Sequence, residues 1–400
     1  MTLIKNFILD TANATGTAFG RLRTAGEGNR LDAEFEYDKR ADLYDEVTNN
    51  GTVTFNSNTR DLTLSLSDAN NGSYAAMCSY PVPYTKGNGQ LIAVTGVLDL
   101  ANIGTGAAEV FLRTSISGSA AESVIAQSSW TALASGIDWQ YSQILEIDYQ
   151  SLKVGTVRYY LNTGGIATQI AQINNDNVRN SGYWQQPSLP QYWKLYTTGG
   201  ETIMEMGYGN DENAIGIRYV ITASASATMK AICATVKSEG GDSLVDMVGL
   251  PRSASNDVTA VTASTTLVPI LSIRPAATFQ TYDNLHIVLP RSFTIQASNP
   301  VRVAVIHSPT TLTTPSWTAA NSVSCVEYDV SATAVAGGHE VFTDYVTTVA
   351  NNRSNSRAGL LGKTVLWNRQ GSETGFLTIA AIRTGGSDAA CFAAINWEEI

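Results

Sequence analysis

The sequence predicts an all-β protein: two β-sandwich, jelly-roll-like domains preceded by an extended N-terminal arm. Three observations predict it. Apolar residues recur at a period of two in many short runs, the mark of half-buried antiparallel strands. Clusters of Asn, Asp and Gly separate these runs at sandwich spacing, and no helical pattern replaces them. Only 15% of the 400 residues are charged, against about 25% in ordinary globular proteins. Thr, Ser, Asn, Ala and Gly fill the difference, a composition suited to viral and extracellular β appendages.

Residues 1–50 differ from the rest and are read as the arm. Thr11–Gly20 is small and polar. Glu27–Glu46 holds eight acids against three bases, a net −5, half of the chain's formal −10. Leu31 and Phe35 would share one face of a short helix there; the alternative is a solvated loop. Alone, such a segment buries too little apolar surface to fold. Phe19 and Leu22, flanked by Arg21 and Arg23, are the residues expected to insert into a partner.

The first sandwich is assigned to 51–241. Its strands are expected at Val53–Phe55, Leu62–Leu66, Leu91–Leu98, Val110–Thr114, Ile166–Ile173, Tyr192–Tyr196, Ile203–Met206, Ile215–Ile221 and Met229–Val236. At its centre, Asp138–Gly165 reads as a long hairpin. Tyr141, Leu145, Ile147 and Tyr149 face one way and Gln140, Ser142, Glu146 and Asp148 the other, with Ile144 the exception; Val157, Tyr159 and Leu161 then alternate with Thr156, Arg158 and Tyr160. The connection Ser151–Gly155 is short and ends in Gly.

Residues 242–257 read as a linker. The second sandwich, 258–400, is expected from Leu267–Ile273, Leu285–Leu289, Phe293–Gln296, Val301–His307, Val323–Val330, Val341–Val346, Gly362–Trp367, Phe376–Arg383 and Ala390–Trp397. Pro290, Pro300 and Pro309 fall where strand ends would tolerate a missing N–H.

Composition excludes several function classes. A chain of net charge −10 releases no counterions on a polyanion, so no nucleic-acid partner is expected. No run reaches the ~18–20 apolar residues of a membrane helix, and Met1–Asp10 lacks the length and cleavage site of a signal peptide. Cys78, Cys233, Cys325 and Cys391 are scattered, without CxxC spacing, and read as small buried residues rather than a disulfide framework.

Chemistry is sparse. His286, His307 and His339 have neither HExxH nor HxH spacing, and there is no GxSxG elbow, GxGxxG or Walker loop. Glu146 and Asp148 form the best glycosidase-like pair, about 6–7 Å apart on one strand face, but they equally fit a plain polar face. The Asn/Asp turns at 174–177 and 210–213 offer oxygens to calcium and are also ordinary turn chemistry. No catalytic residue, cofactor or metal is expected. Tyr183, Trp184, Tyr192 and Trp193, with Tyr196, form the densest aromatic patch. Exposed, it would stack on sugars or a partner chain; buried, it is core or subunit interface.

The hairpin also carries a resemblance. Asp138–Trp139, Gln143–Ile144, Ile147–Gln150, Leu152, Val154–Gly155 and Val157–Arg158 resemble the hallmark segment of a family of tailed-bacteriophage virion proteins common in marine phages. Phe19–Thr24 (FGRLRT) resembles its N-terminal signature, and Thr228–Lys230, Ile232–Val236 and Ser238–Gly241 resemble the strand closing its first domain. The similarity spans roughly Phe19–Gly241. Leu189, Pro190 and Tyr192 match the family's pattern before a strand, favouring the structural reading of the aromatic patch. In the family the signature continues into an aromatic, Asp-rich extended segment, where this chain has its acidic stretch.

The resemblance implies a non-enzymatic virion protein, assembled in the host cytoplasm and exposed as a head decoration, fibre, collar or whisker. It implies attachment to other virion proteins through the arm, and a homotrimer. The competing class is a receptor-binding fibre recognising host glycan, with weak hydrolase activity. An exposed aromatic–acid groove would distinguish it.

Overall fold

A computed structural model describes residues 27–41, 43–66, 72–85, 87–99, 106–116, 119–151, 153–179, 181–184, 186–222, 226–239, 249–257, 259–346, 354–355, 364–368 and 375–400. Apart from a 3-10 turn at Gln127–Ser129, the regular structure of these residues is β. The chain divides into two units, Met1–Asp242 and Ser243–Ile400.

The first unit contains β1 (Glu27–Glu34), β2 (Tyr44–Asn49), β3 (Gly51–Asn56), β4 (Asp61–Leu66), β5 (Tyr74–Ser79), β6 (Gln90–Asp99), β7 (Gly106–Ile116), β8 (Ser119–Ala126), β9 (Gln143–Tyr149), β10 (Val157–Thr163), β11 (Ile166–Ile173), β12 (Gln191–Thr198), β13 (Glu201–Gly209), β14 (Ala214–Ile221) and β15 (Ala227–Glu239). One sheet runs β11-β10-β9-β6-β15-β4-β3, with β1 also on β15; the other runs β2-β5-β12-β13-β14-β7-β8. The inward faces of both sheets share one core, including Ile92, Ile147, Tyr159 and Val236 from the first and Met77, Val110, Leu195, Met204 and Ile217 from the second.

The expected hairpin is β9–β10, except that Tyr141 lies before β9 and is 70% exposed rather than on the buried face. Tyr149, Ile147 and Leu145 oppose Val157, Tyr159 and Leu161, and all six are fully buried. Gly155 closes the connection for a steric reason. A Cβ there would lie 1.6 Å from the carbonyl oxygen of Gln150.

Two stretches assigned to the arm are strands. β1 pairs with β15 from Glu27 opposite Glu239 to Glu34 opposite Cys233. Leu31, Ala33 and Phe35 turn into the core while Asp32, Glu34 and Glu36 face solvent. That alternation replaces the short helix, because a strand buries every second residue and leaves the acids hydrated. β2 pairs with β5, and Tyr44 is buried with its hydroxyl donating to Gln191 at 2.8 Å. Residues 1–26, with Phe19, Arg21, Leu22 and Arg23, lie outside the described residues.

The second unit contains β16 (Leu250–Ser255), β17 (Val261–Ala263), β18 (Val268–Pro275), β19 (Thr278–Phe279), β20 (Tyr282–Asp283), β21 (Val288–Ala297), β22 (Val301–His307), β23 (Thr311–Thr313), β24 (Thr318–Ala319), β25 (Val326–Asp329), β26 (Ala334–Ala336), β27 (His339–Val346), β28 (Ser354–Asn355), β29 (Leu377–Arg383) and β30 (Ala389–Glu399). One sheet runs β16-β30-β21-β28, with β17 also on β30, and the other β24-β25-β18-β29-β22-β27; β19–β20 is a small hairpin, and β23–β26 is a two-stranded sheet with β24 and β25 between its strands in sequence. Their core gathers Leu271, Phe293, Val303, Ile379, Ile395 and Trp397.

Here too the expectations need correction. Within the expected linker, Leu250–Ser255 form β16, paired with β30. Pro290 is not at a strand end: it lies inside β21, opposite Trp397, where a register shift between Pro290 and Ser292 interrupts the ladder. A bulge absorbs the missing donor. Of the strand expected at Gly362–Trp367, the described part contributes a single bridge, Leu366 to Val288. The buried Glu399 carboxylate ties this unit together. It accepts from the Trp397 indole at 2.9 Å, the Cys325 amide at 3.3 Å and the Ser324 hydroxyl.

Candidate functional site

The outer face of the sheet β2-β5-β12-β13-β14-β7-β8 is built in rows, because antiparallel register places every second residue of neighbouring strands side by side. One row is aromatic and glycine: Tyr192, Gly207, Gly216 and Phe111. A Cβ on Gly216 would meet the Phe111 ring at 3.1 Å and the Met206 carbonyl oxygen at 2.6 Å. The glycine therefore lets the ring lie close over the strand. The next row alternates in charge: Lys194, Glu205, Arg218 and Glu109. A third row is Tyr74, Tyr196, Ile203, Val220 and Ala107.

The cations are packed on the aromatic row. The guanidinium carbons of Arg113 and Arg218 lie 5.0 and 5.2 Å from the centre of the Phe111 ring, and Lys194 Nζ lies 4.6 Å from that of Tyr192. Such cation–π contacts fix long side chains over a ring. Carboxylates then link the cations. Arg113 reaches Glu205 and Glu122, each at 3.2 Å. Arg218 reaches Glu109 at 2.5 Å and Glu122 at 2.9 Å, so Glu122 bridges the two arginines. Lys194 donates to Asp211 at 2.5 Å.

Glu205, on the central strand β13, is fully buried. It accepts from Arg113, from the Tyr192 hydroxyl at 2.5 Å and from the Tyr196 hydroxyl at 3.2 Å. Burial pushes its carboxyl up, but Arg113 and Lys194, with the Tyr192 hydrogen bond, draw it below the usual carboxylate range. Burial likewise disfavours the charged form of Lys194, while Glu205 and Asp211 hold its ammonium above the ordinary value. Burial raises the Tyr192 and Tyr196 hydroxyls, with the Glu205 charge adding to the effect.

Above this floor lies a trough of about 920 Å³, lined by Arg113, Glu122, Arg218, Tyr196, Glu201 and Ile203 among others. A smaller hollow of about 310 Å³, lined by Tyr74, Arg113, Lys194, Tyr196 and Asp211, shares two of those residues. The arrangement is a fixed array of donors and acceptors. Glu201 and Glu205 share a face of β13 four residues apart, about 13 Å, farther than the about 5–10 Å at which glycosidases place their carboxyls; Glu109 and Glu122 sit closer together, both on the Arg218 guanidinium.

The pair singled out in sequence, Glu146 and Asp148, lies on the outward face of the other sheet. Asp148 is fully buried, with Arg158 Nη1 at 3.9 Å. The aromatic patch does not form a surface. Tyr183, Trp184, Tyr192 and Trp193 are each at most 1% exposed. Trp184 packs against Tyr183, Tyr149 and Tyr208 at centroid distances of 5.2, 5.3 and 6.5 Å. Trp193 packs between Phe35 and Tyr44, and its indole donates to the Thr95 carbonyl at 3.2 Å. Their interaction role is corrected accordingly: Tyr183, Trp184 and Trp193 fill the core between the sheets, and Tyr192 is buried on the outer face beside Phe111. Of the four, Tyr192 alone reaches the charged face, from beneath it.

The side chains of the turns considered for calcium are engaged within the protein. Asn210 Oδ1 accepts from the Asn213 and Glu212 amides at 2.7 and 3.1 Å, and the Asn175 amide group bonds Gly155 and Arg179. Among the described residues, no group of three or more His, Cys, Asp or Glu side chains is placed to hold a metal ion. Likewise no helix among them is long and apolar enough to cross a membrane.

No protein-family model matches the chain, and no curated protein matches it. Solved structures do. The chain is similar to an endo-1,3-β-glucanase from Streptomyces sioyaensis, with a TM-score of 0.32 and 9% identity over 55% of this chain and 98% of that one. It is similar to lectin II from Ulex europaeus, with a TM-score of 0.21 and 10% identity over 53% and 100%. It is also similar to an endo-β-1,4-glucuronan lyase from Trichoderma reesei, with a TM-score of 0.28 and 6% identity over 56% and 98%. At such scores and identities the likeness carries no property over to this chain.

Proposed function

We propose that the chain is a non-enzymatic structural protein of a tailed-bacteriophage virion, a surface decoration or appendage held to its neighbours by the residues before β1. The observation that carries the non-enzymatic part is the pairing of Glu205. It is fully buried beneath the trough rather than in its wall, and Arg113, Lys194 and Tyr192 hold it ionised. General acid–base work needs a group poised near the working pH, and this carboxylate is held away from it. The virion part is supported by the hallmark hairpin, whose residues form β9 and β10 and the tight connection at Gly155. A homotrimer fits the same reading, since sandwich edges expose unpaired backbone groups that symmetric assembly covers.

The test is the composition of the particle. Mass spectrometry of gradient-purified virions of the encoding phage should find the chain in many copies per particle. Its recovery only from the soluble lysate would overturn the proposal. Light scattering at micromolar concentration should give three times the chain mass.

A further inference from the structure

We infer that the trough over the charge row of β12, β13, β14 and β7 binds an uncharged polysaccharide strand. Nothing in the virion reading requires this, and the two fail by different experiments.

Size comes first. Volumes of about 920 and 310 Å³ fall in or near the range of about 300–1,000 Å³ typical of ligand sites. The two hollows share Arg113 and Tyr196, so they follow one another along the face. That shape fits an extended ligand better than a compact one.

The chemistry of the floor narrows the class. Every sugar hydroxyl both donates and accepts, and it is best met by donors and acceptors set side by side. Arg113 and Arg218 are the donors, and Glu109, Glu122 and Asp211 the acceptors, the last held by the buried Lys194. The side chains of Arg113, Arg218, Glu109 and Glu122 are 17, 13, 21 and 28% exposed, so they keep outward edges while their partners hold them still. Groups already immobilised lose little entropy when a ligand arrives. Tyr196, Ile203 and Val220 give the adjoining apolar strip that the C–H faces of a sugar ring pack on. An apolar ligand would strip water from these charges without replacing its hydrogen bonds.

Charge excludes polyanions. The lining and floor hold three cations (Arg113, Lys194, Arg218) against five carboxylates (Glu109, Glu122, Glu201, Glu205, Asp211), a net −2. Each cation already faces a carboxylate. An acidic capsule chain or a nucleic acid would meet repulsion, whereas a neutral glycan meets none.

The test uses the purified full chain in affinity gel electrophoresis against dextran, a soluble β-glucan, mannan and galactan, with polygalacturonate as the acidic control. Ala120→Trp and Thr198→Arg plug the trough from exposed wall positions without removing a charged partner. The expected result is retardation by at least one neutral polymer, none by polygalacturonate, and an affinity loss of about tenfold or more in both variants at unchanged melting temperature. No retardation by any neutral polymer would overturn the inference. So would equal retardation of the plugged variants, or preference for polygalacturonate. If one variant fails to fold, the other decides.

Discussion

Lys194 and Glu205 are direct cross-strand partners on β12 and β13, yet the lysine gives its hydrogen bond to Asp211 while the glutamate accepts from Arg113 and two tyrosines. The pair is thus tied into one network spanning β7, β12, β13 and the turn before β14. Breaking a buried ion network at one member costs about 3–5 kcal/mol, because the partner charge is stranded. Glu205→Gln is therefore expected to lower unfolding free energy by about 3 kcal/mol, read by urea denaturation. A change within about 0.5 kcal/mol, the usual span of a surface substitution, would mean the network is not a structural unit.

The same group sets an acid limb. Glu205 has a folded-state pKa depressed below its ordinary 4.5. Its contribution is full above that value and is lost as pH falls through the lower folded value. Lys194 is raised above 10.5, so its contribution is full below 10.5 and is lost as pH rises through the folded value. Melting temperatures across pH should show the gap between wild type and Glu205→Gln constant from pH 6 to 8 and narrowing below 4.5. A gap that widens on acidification would contradict the assigned direction.

The hallmark hairpin offers a contrast of two positions on one strand. Ile147 is fully buried, while Gln143 is half-buried and its side-chain amide donates to the nearby carbonyls of Asp138 and Tyr141. Ile147→Ala is expected to cost about 2–5 kcal/mol and Gln143→Ala less than about 1 kcal/mol, measured as shifts in unfolding midpoint. Equal effects would mean the strand faces are assigned wrongly.

That hairpin was readable because Leu145, Ile147, Tyr149, Val157, Tyr159 and Leu161 alternate over two adjacent runs. The same period is present in β1, where Leu31, Ala33 and Phe35 alternate with acids, but the charge count pointed to a solvated arm. β5 and β8 were missed because their Ala, Ser and Cys residues give weak apolar contrast. Pro290 divided β21 into two expected strands, since nothing local announces a bulge. The charged face was out of reach for another reason. Glu109, Glu122, Lys194, Glu205 and Arg218 come from five strands, and only sheet order puts them together. The aromatic residues were visible as a cluster, but which way each ring turns depends on register.

The cysteines give a chemical check on burial. All four are free thiols; Cys78 and Cys233 are half-buried, and Cys325 and Cys391 are buried. Burial pushes the Cys391 thiol up to about 11 and raises Cys325 as well, with the Glu399 charge adding to it. Reaction with a thiol reagent needs the thiolate. At pH 8 the native protein should therefore label at Cys78 and Cys233 and protect Cys325 and Cys391 until it unfolds. Rapid labelling of all four would show the second unit's core to be open.

The last prediction concerns the residues before β1. The ladder between β1 and β15 begins at Glu27 opposite Glu239, so removal of residues 1–24 leaves every described strand whole. If those residues attach the protein to the particle, the truncated chain should melt within a few degrees of wild type and keep its oligomeric state, yet fail to bind virions lacking the native protein. Under that reading Phe19 and Leu22 would supply apolar insertion, and Arg21 and Arg23 pairing with carboxylates on the partner. The two contributions separate by salt. An attachment carried by the arginines weakens as ionic strength rises and the Debye length falls from about 10 Å at 0.1 M to about 3 Å at 1 M, whereas one carried by Phe19 and Leu22 does not. Arg21→Ala with Arg23→Ala should therefore remove most of the salt dependence, and Phe19→Ala with Leu22→Ala should weaken binding at every salt concentration. Cosedimentation with particles reads both. Normal decoration by the truncated chain would move the attachment surface onto one of the sandwiches.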